Sequence, residues 1–300
     1  YDDRMLVGGT SDPAYYGNGD DELHLAFNFP LMRTRHLTPD WVRANQQTRF
    51  SALPPGAWPC NTLGNHDSTR LYTRYGDGEH DDAIARLALA LMLTIKGTPF
   101  LYNGEEIGMT DYIIDDLEKA KDYPVHWYYK LQRELFGKSE AEARRAAALE
   151  SRDKCRTPMQ WADAPHGGFC PAEVEPWLPV NPNYAEGVNV AAQEDNPDAL
   201  LNFYRTMIQM RQRTPALIAG DYVPLLEANE DVLAFLRRSE AQTCLVVLNF
   251  SEQAYTPAFD LPNEAEVAKA IFSNRERADA TPLAAFEIAP FEIYVGEIEG

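Results

Sequence analysis

The chain has 300 residues, 45% of them hydrophobic and 24% charged, an ordinary globular mix that is longer than the roughly 100–200 residues of one typical domain. Its formal net charge of −19 excludes nucleic acid and an anionic membrane surface as partners, because both would repel it, and favours a neutral substrate. The four cysteines (Cys60, Cys155, Cys170, Cys244) and six histidines show no C-x-x-C, H-x-x-H or H-E-x-x-H spacing. Neither a metal nor a cofactor is expected, and the thiols read as reduced ones of a cytoplasmic protein.

The chain opens at Tyr1 with no Met and no signal peptide, and RMLVGG two residues later already reads as a strand. The expectation is the C-terminal part of a longer protein. LHLAFNFPLM, WPCNTLGN and GTPFLYNGEE read as three further strands, each ending in Gly, Pro, Asn or acidic residues. Thr38 can cap a helix with Pro39 at its first position, and acidic Glu79, Asp81 and Asp82 open a long helix through Ile95. Strands alternating with helices predict βα units around a parallel sheet. The run IARLALALMLTIKGTPFLY, interrupted by Arg86 and Lys96, is too short for the ~20 apolar residues of a membrane span and reads as a core helix entering a core strand.

A long polar insertion follows with two helices, one of them SEAEARRAAALE, whose alternating charges mark a solvated face. Residues 155–195 are rich in Pro, Gly and Asn and read as an extended loop, after which Asn196 and Pro197 start the amphipathic helix ALLNFYRTMIQMRQR. The character changes at Gly220. VLAFLRRS, TCLVVLNFS, AEVAKAIF and APFEIYVGEI are strands joined by short turns, which predicts a separate antiparallel β domain.

In parallel βα architectures the loops at the C-terminal ends of the strands carry the ligand site. Asn65, His66 and Asp67 follow the third strand, and Glu105 and Glu106 follow the fourth. Two readings of the triplet stand side by side: a carboxylate and imidazole presented to a ligand, or a strand-end Asp capping the next helix with His66 packed beside it.

Three stretches in order, GNHDSTR, GTPFLYNGEEIGM and SRDKCRTPMQW, followed by WLPVNPNYAEGVNV and DALLNFYRTMIQMRQRTPAL, resemble the later half of the α-amylase superfamily, glycoside hydrolase family 13, in its α-glucosidase and oligo-1,6-glucosidase branch. The resemblance covers nearly the whole chain. It implies the C-terminal half of a (β/α)8 barrel, residues 1–219 with a long loop insertion after the last strand, followed by an antiparallel β-sandwich domain at 220–300. It also implies a retaining mechanism, with a carboxylate nucleophile and a carboxylic acid about 5 Å apart. A third carboxylate stabilises the oxocarbenium-like transition state. Asp67 matches that third carboxylate, His66 the histidine bonded to the same glucose, and Arg152 and Asp153 residues lining the glucose site and the next subsite. Glu105 and Glu106 read as structural, and a salt bridge from Arg152 to one of them is the competing reading of Arg152. Trp58, Trp127, Trp161 and Trp177 could stack on sugar faces, with Trp161 expected nearest the site.

Two departures from the family stand out. The nucleophile's G-x-R-x-D motif occurs nowhere in the chain, and Gly9 of MLVGGT occupies the general acid's position. A degenerate relative, a substituted variant and a local sequence error all account for Gly9. The parent protein is expected to be an α-glucosidase on small oligosaccharides, and the 300 residues alone are expected to be inactive. The alternatives are a trehalose synthase or sucrose isomerase type transglycosylase, and a non-catalytic sugar-binding or partner protein.

Overall fold

The computed structural model describes residues 5–19, 21–261 and 265–298. Strand β1 (Val7–Gly8) begins the fold; Arg4, at the start of its sequence run, lies outside the described residues. Strand β2 (Leu25–Asn28) is shorter than the run that announced it. Helical turn α1 (Phe29–Met32) takes over at once, because Pro30 lacks the N–H that a ladder needs and its fixed φ suits the first turn of a helix. Helix α2 (Pro39–Ala52) starts where the sequence placed it: the Thr38 hydroxyl accepts the Trp41 N–H, and Pro39 occupies the first position. Its inner face carries Val42, Gln46 and Arg49, spaced one turn apart.

Strand β3 (Cys60–Thr62) precedes a short helix, α3 (Leu71–Tyr75), and the long helix α4 (Asp81–Thr94). Asp81 and Asp82 lie in the first turn of α4, where the helix dipole favours them. From Leu87 to Thr94 every residue of α4 is buried, as expected of a helix apolar on all sides. Strand β4 (Thr98–Phe100) completes a parallel sheet in the order β1-β2-β3-β4, with Phe27 beside Cys60 and Cys60 beside Thr98.

The insertion contains α5 (Pro124–Glu134) and α6 (Glu140–Glu150), which pack on each other around Leu117, Val125 and Ala147. Ser139 and Glu142 form a reciprocal capping box at the start of α6. A chain of 3₁₀ turns leads to α7 (Val190–Glu194), α8 (Leu200–Arg213) and α9 (Pro215–Ala219). The antiparallel strands follow: β5 (Asp221–Leu225), β6 (Val232–Arg238), β7 (Thr243–Asn249), β8 (Val267–Ser273), β9 (Ala280–Pro282) and β10 (Ile293–Ile298), in the order β5-β6-β7-β10-β8-β9. Strands β5 and β9 have no counterpart in the sequence reading. The first carries Pro224, tolerated because β5 is an edge strand, and the second spans only three residues.

Two compact units result. One comprises the chain up to Leu63, Asp77–Phe100 and Arg205 onward, and so holds both sheets. The other comprises Gly64–Gly76 and Leu101–Tyr204. Gly220 itself marks the change from helix α9 to the antiparallel strands.

Candidate active site

The residues that follow β3 and β4 along the chain belong to the second unit, and they meet there. The Asn65 side-chain carbonyl accepts the Asp67 N–H at 2.9 Å, which turns the chain sharply after Gly64 and leaves the Asp67 carboxylate half-exposed. Helix α3 starts at Leu71, and no side chain caps it, so Asp67 is not a helix cap.

Asp67 is instead held by cations. Its Oδ1 accepts Arg156 Nη2 at 2.6 Å and Arg152 Nη1 at 3.2 Å, while His66 Nε2 stands 3.4 Å from Oδ2. The Arg156 fork is bidentate across the turn, because its Nε also donates to the His66 carbonyl at 2.7 Å. One guanidinium thus fixes both the backbone that presents Asp67 and the carboxylate itself.

Arg152 reaches Asp67 from a buried anchor. Its Nη2 lies 2.5 Å from Asp122 Oδ1, its Nε bonds both Asp122 oxygens, and its backbone N–H donates to Oδ2 at 2.9 Å. Burial pushes the Asp122 carboxyl up, yet the Arg152 hydrogen bonds outweigh it and leave it below its ordinary value. The same hydrogen bonds raise the Arg152 guanidinium's pKa, so it stays charged. The Arg152 partner is therefore Asp122, and the expected alternative of Glu105 or Glu106 does not hold. Asp153, next along the chain, is buried: its Oδ2 accepts the N–H groups of Lys121 and Asp122 and so orients the anchor.

Other contacts lock the base of the site. The Cys155 thiol donates to the carbonyls of Arg152 at 3.1 Å and His66 at 3.4 Å, and burial pushes it up to about 11, far from a reactive thiolate. The Tyr102 hydroxyl donates to the Cys155 carbonyl at 3.0 Å. Buried Arg70 donates to the Asn103 carbonyl at 2.7 Å and lies over the Tyr102 ring. Glu105 is buried, whereas Glu106 accepts the Gly104 N–H at 2.8 Å.

An open cleft of about 650 Å³ adjoins this clamp, lined by His66, Arg156, Tyr102, Asn103, Met159, Trp161, Phe169 and Trp177, with Thr157 and Pro158 between. Of the four tryptophans considered for sugar stacking, Trp161 and Trp177 are among its walls. Arg156 and Asp122 were not foreseen. Arg156 stands in the same SRDKCRTPMQW stretch as Arg152, one helical turn further on, whereas nothing in the sequence marks Asp122. Among the described residues no group of three or more His, Cys, Asp or Glu could hold a metal ion.

Gly9 lies in the other unit, directly after β1. It is exposed, and a Cβ added there would meet nothing within 4 Å, so the backbone accepts a larger side chain.

Residues 1–220 match the alpha amylase catalytic domain, and residues 223–295 match the maltogenic amylase C-terminal domain. The chain belongs to the α-amylase family. Within it, the oligo-1,6-glucosidase of Halalkalibacterium halodurans is 34% identical over 300 residues, covering 95% of this chain and 52% of that protein. The oligo-1,6-glucosidase of Parageobacillus thermoglucosidasius is 33% identical over 244 residues, covering 80% and 42%. Among solved α-amylase family structures, trehalulose synthase MutB from Pseudomonas mesoacidophila MX-45 superposes with a TM-score of 0.83 at 30% identity, covering 99% of this chain and 56% of that one. An isomaltulose synthase mutant from Erwinia rhapontici NX5 in complex with sucrose gives 0.82 at 29%, again over 99% and 56%. The chain thus spans about half the length of these relatives. Its parallel sheet is part of the family's (β/α)8 barrel, and its antiparallel strands form the β domain that follows.

Proposed function

We propose that these 300 residues belong to a retaining α-glucosidase that removes terminal α-linked glucose from small oligosaccharides, and that Asp67 is its transition-state-stabilising carboxylate. The observation that carries this reading is the clamp of Arg156 and Arg152 on Asp67 Oδ1, beside His66 and an open cleft. A carboxylate fixed by two guanidinium groups keeps its second oxygen directed by an imidazole. It can then accept sugar hydroxyls whose hydrogen bonds strengthen as positive charge spreads over the ring. His66, which lines the cleft, supplies a donor to the same sugar, and Asp153 acts through Asp122 and Arg152 rather than by touching it.

Retention of configuration needs a nucleophile and an acid as well. Gly9 occupies the acid's place and no G-x-R-x-D stretch is present, so these residues alone hold a sugar without turning it over. Residues 1–219 carry the barrel part of that work and 220–300 the β domain. No described helix is long and apolar enough to cross a membrane. We read the four free thiols as those of a cytoplasmic protein.

The test is binding and turnover by the purified chain. Isomaltose binding is expected, with Asp67→Asn weakening it by at least about tenfold, as for loss of a charged hydrogen-bonding partner. No release of p-nitrophenol from p-nitrophenyl α-glucoside is expected. Turnover that Asp67→Asn abolishes would overturn the inactivity; isomaltose binding indifferent to Asp67→Asn would overturn the site. The solved neighbours also support a second reading, a transglycosylase that moves the glucosyl group to another sugar hydroxyl. Isomerised disaccharide from sucrose, made by a longer form of the protein, would favour it over free glucose.

A further inference from the structure

The C-terminal ends of β3 and β4 lead on to the clamp, while their N-terminal ends border another cavity, of about 440 Å³, within the ~300–1,000 Å³ of small-molecule sites. It is lined by Trp58, Thr98, Pro99, Arg211, Ile218 and Ala219, all of one compact unit. Strand pairing assembles its polar wall. The Thr98 N–H donates to the Pro59 carbonyl at 2.9 Å, and the Trp58 indole N–H donates to the Thr98 hydroxyl at 3.1 Å. Among the described residues that hydroxyl has no acceptor for its own proton, which is left to serve a ligand. Helix α9 closes the apolar side with Ile218 and Ala219, both at exposed positions.

Arg211 gives the cavity its charge. Its terminal nitrogens donate to the carbonyls of Leu93 and Gly97 at 2.6 and 2.8 Å, both neutral acceptors, and among the described residues no carboxylate pairs with it. The charges around it do not compensate. Arg237 is a second cation close enough for the two to repel, Lys96 lies over the Trp58 ring at 5.5 Å, and Asp221 is engaged by Lys96 at 2.7 Å. Burial pulls the Arg211 guanidinium down to about 10, so it is still charged at neutral pH. A charge withdrawn from water is ordinarily paired, and this one is not, in a chain with 46 acidic residues to choose from.

We propose that this cavity is a binding site for a small monocarboxylate with an apolar body. The Arg211 guanidinium and the Thr98 hydroxyl take the carboxylate, and Trp58, Pro99 and Ile218 take the body. The carboxylate supplies the missing counter-charge and accepts from N–H groups that the Leu93 and Gly97 carbonyls leave unused. A sugar fits this wall poorly, because its hydroxyls need acceptors as well as donors. Free phosphate fits it poorly too, because it has nothing to place against the indole and the proline.

The experiment measures binding of benzoate, its uncharged counterpart benzamide and inorganic phosphate to the full chain by calorimetry at neutral pH and fixed ionic strength. Benzoate is expected to bind, with benzamide and phosphate weaker by at least about tenfold, the scale of one charge-assisted hydrogen bond. Thr98→Val, which removes the hydroxyl and keeps the shape, is expected to weaken benzoate by roughly three- to tenfold. Ala219→Trp fills the cavity from an exposed position, so the fold tolerates it, and benzoate binding should disappear; this variant decides where Thr98→Val fails to fold. Absence of benzoate binding, equal affinity for benzoate and benzamide, or benzoate binding that survives Ala219→Trp overturns the site. Phosphate bound as tightly as benzoate overturns the assignment of the ligand as an apolar-bodied carboxylate.

Discussion

Glu105 is a carboxyl removed from water directly beneath the turn that presents Asp67. Its Oε1 has no hydrogen-bond partner, and a Cβ at Gly64 would come within 2.2 Å of that oxygen, so glycine at 64 is what lets the chain pass. Burial first, and the nearby Glu106 charge after it, push the Glu105 carboxyl up to about 8 against a hydrogen bond from the Tyr102 backbone. A carboxyl raised in the folded state holds its proton there after the unfolded chain has released it. Its contribution is full below about 4.5 and is lost as pH rises through about 8. Glu105→Gln removes this dependence. The variant should match the wild type at pH 4.5 and become the more stable by about 1.4 kcal/mol for each pH unit towards 8, read from urea midpoints. A gap that shrinks with rising pH would show Glu105 to be ionised in the fold. That Asp67, His66 and Arg152 meet was legible where residue type and chain position agree, the first two at a strand end and the third in a distinctive stretch. Asp122 was not, because a partner 30 residues away is chosen by tertiary packing that no local pattern encodes.

At the scale of elements, α4 raises the question of how a helix ends whose last two turns are buried. It has no basic residue in its last turn, and its final carbonyls point into the unit. Two arginines from elsewhere serve them. Arg211 of α8 donates to the carbonyls of Leu93 at 2.6 Å and Gly97 at 2.8 Å, and Arg237 of β6 donates to Thr94 at 2.6 Å. Arg237 also bonds the Gly220 carbonyl through Nε and Nη2, so one buried side chain joins α4, the entry to β5 and β6. Burial pulls its guanidinium down to about 9, and the neighbouring Arg211 adds to this, but the helix C-terminus favours the charged form. Arg237→Met should cost about 2–4 kcal/mol in urea denaturation, since two buried carbonyls lose their donor. Arg237→Lys should recover part of it by serving one of them. A loss under about 0.5 kcal/mol would mean that water reaches these carbonyls. Element existence was readable because α2, α4, β6 and β7 each carry a strong period or an unbroken apolar run. Strands β5 and β9 were not, since Pro224 and a three-residue length hide a strand until a neighbour supplies its ladder.

For the whole chain, the shift in composition at Gly220 marks where helices give way to strands, but it does not reveal that α4 is fastened to the strand domain at both ends. The C-terminal fastening is Arg237. The N-terminal one is His80, whose ring stacks on Phe291 with centroids 4.9 Å apart and an interplanar angle of 27°. Its Nδ1 lies 3.1 Å from Asp77 Oδ2 and 3.8 Å from Glu252 Oε1, and Glu79 is a further acidic neighbour. The Asp77 hydrogen bond raises the His80 pKa above 6.5, with the Asp77 and Glu252 charges adding to it. Asp77 is itself held at about 2 by backbone N–H groups of His80 and Glu79, so it stays negative throughout the range in which His80 titrates. A histidine raised in the folded state contributes fully below its unfolded value of 6.5, and the contribution fades as pH rises through the folded one. In a chain of net charge −19, each added proton also relieves repulsion, so the comparison must be between wild type and variant at the same pH. His80→Gln should lower the melting temperature most near pH 5.5 and progressively less towards pH 8, leaving the residue of ring stacking that glutamine cannot supply. Glu252→Gln should narrow the low-pH gap without touching the residue at high pH. A gap independent of pH would assign His80 to packing alone, and one that widens with pH would mean that the neutral ring is the form the fold prefers.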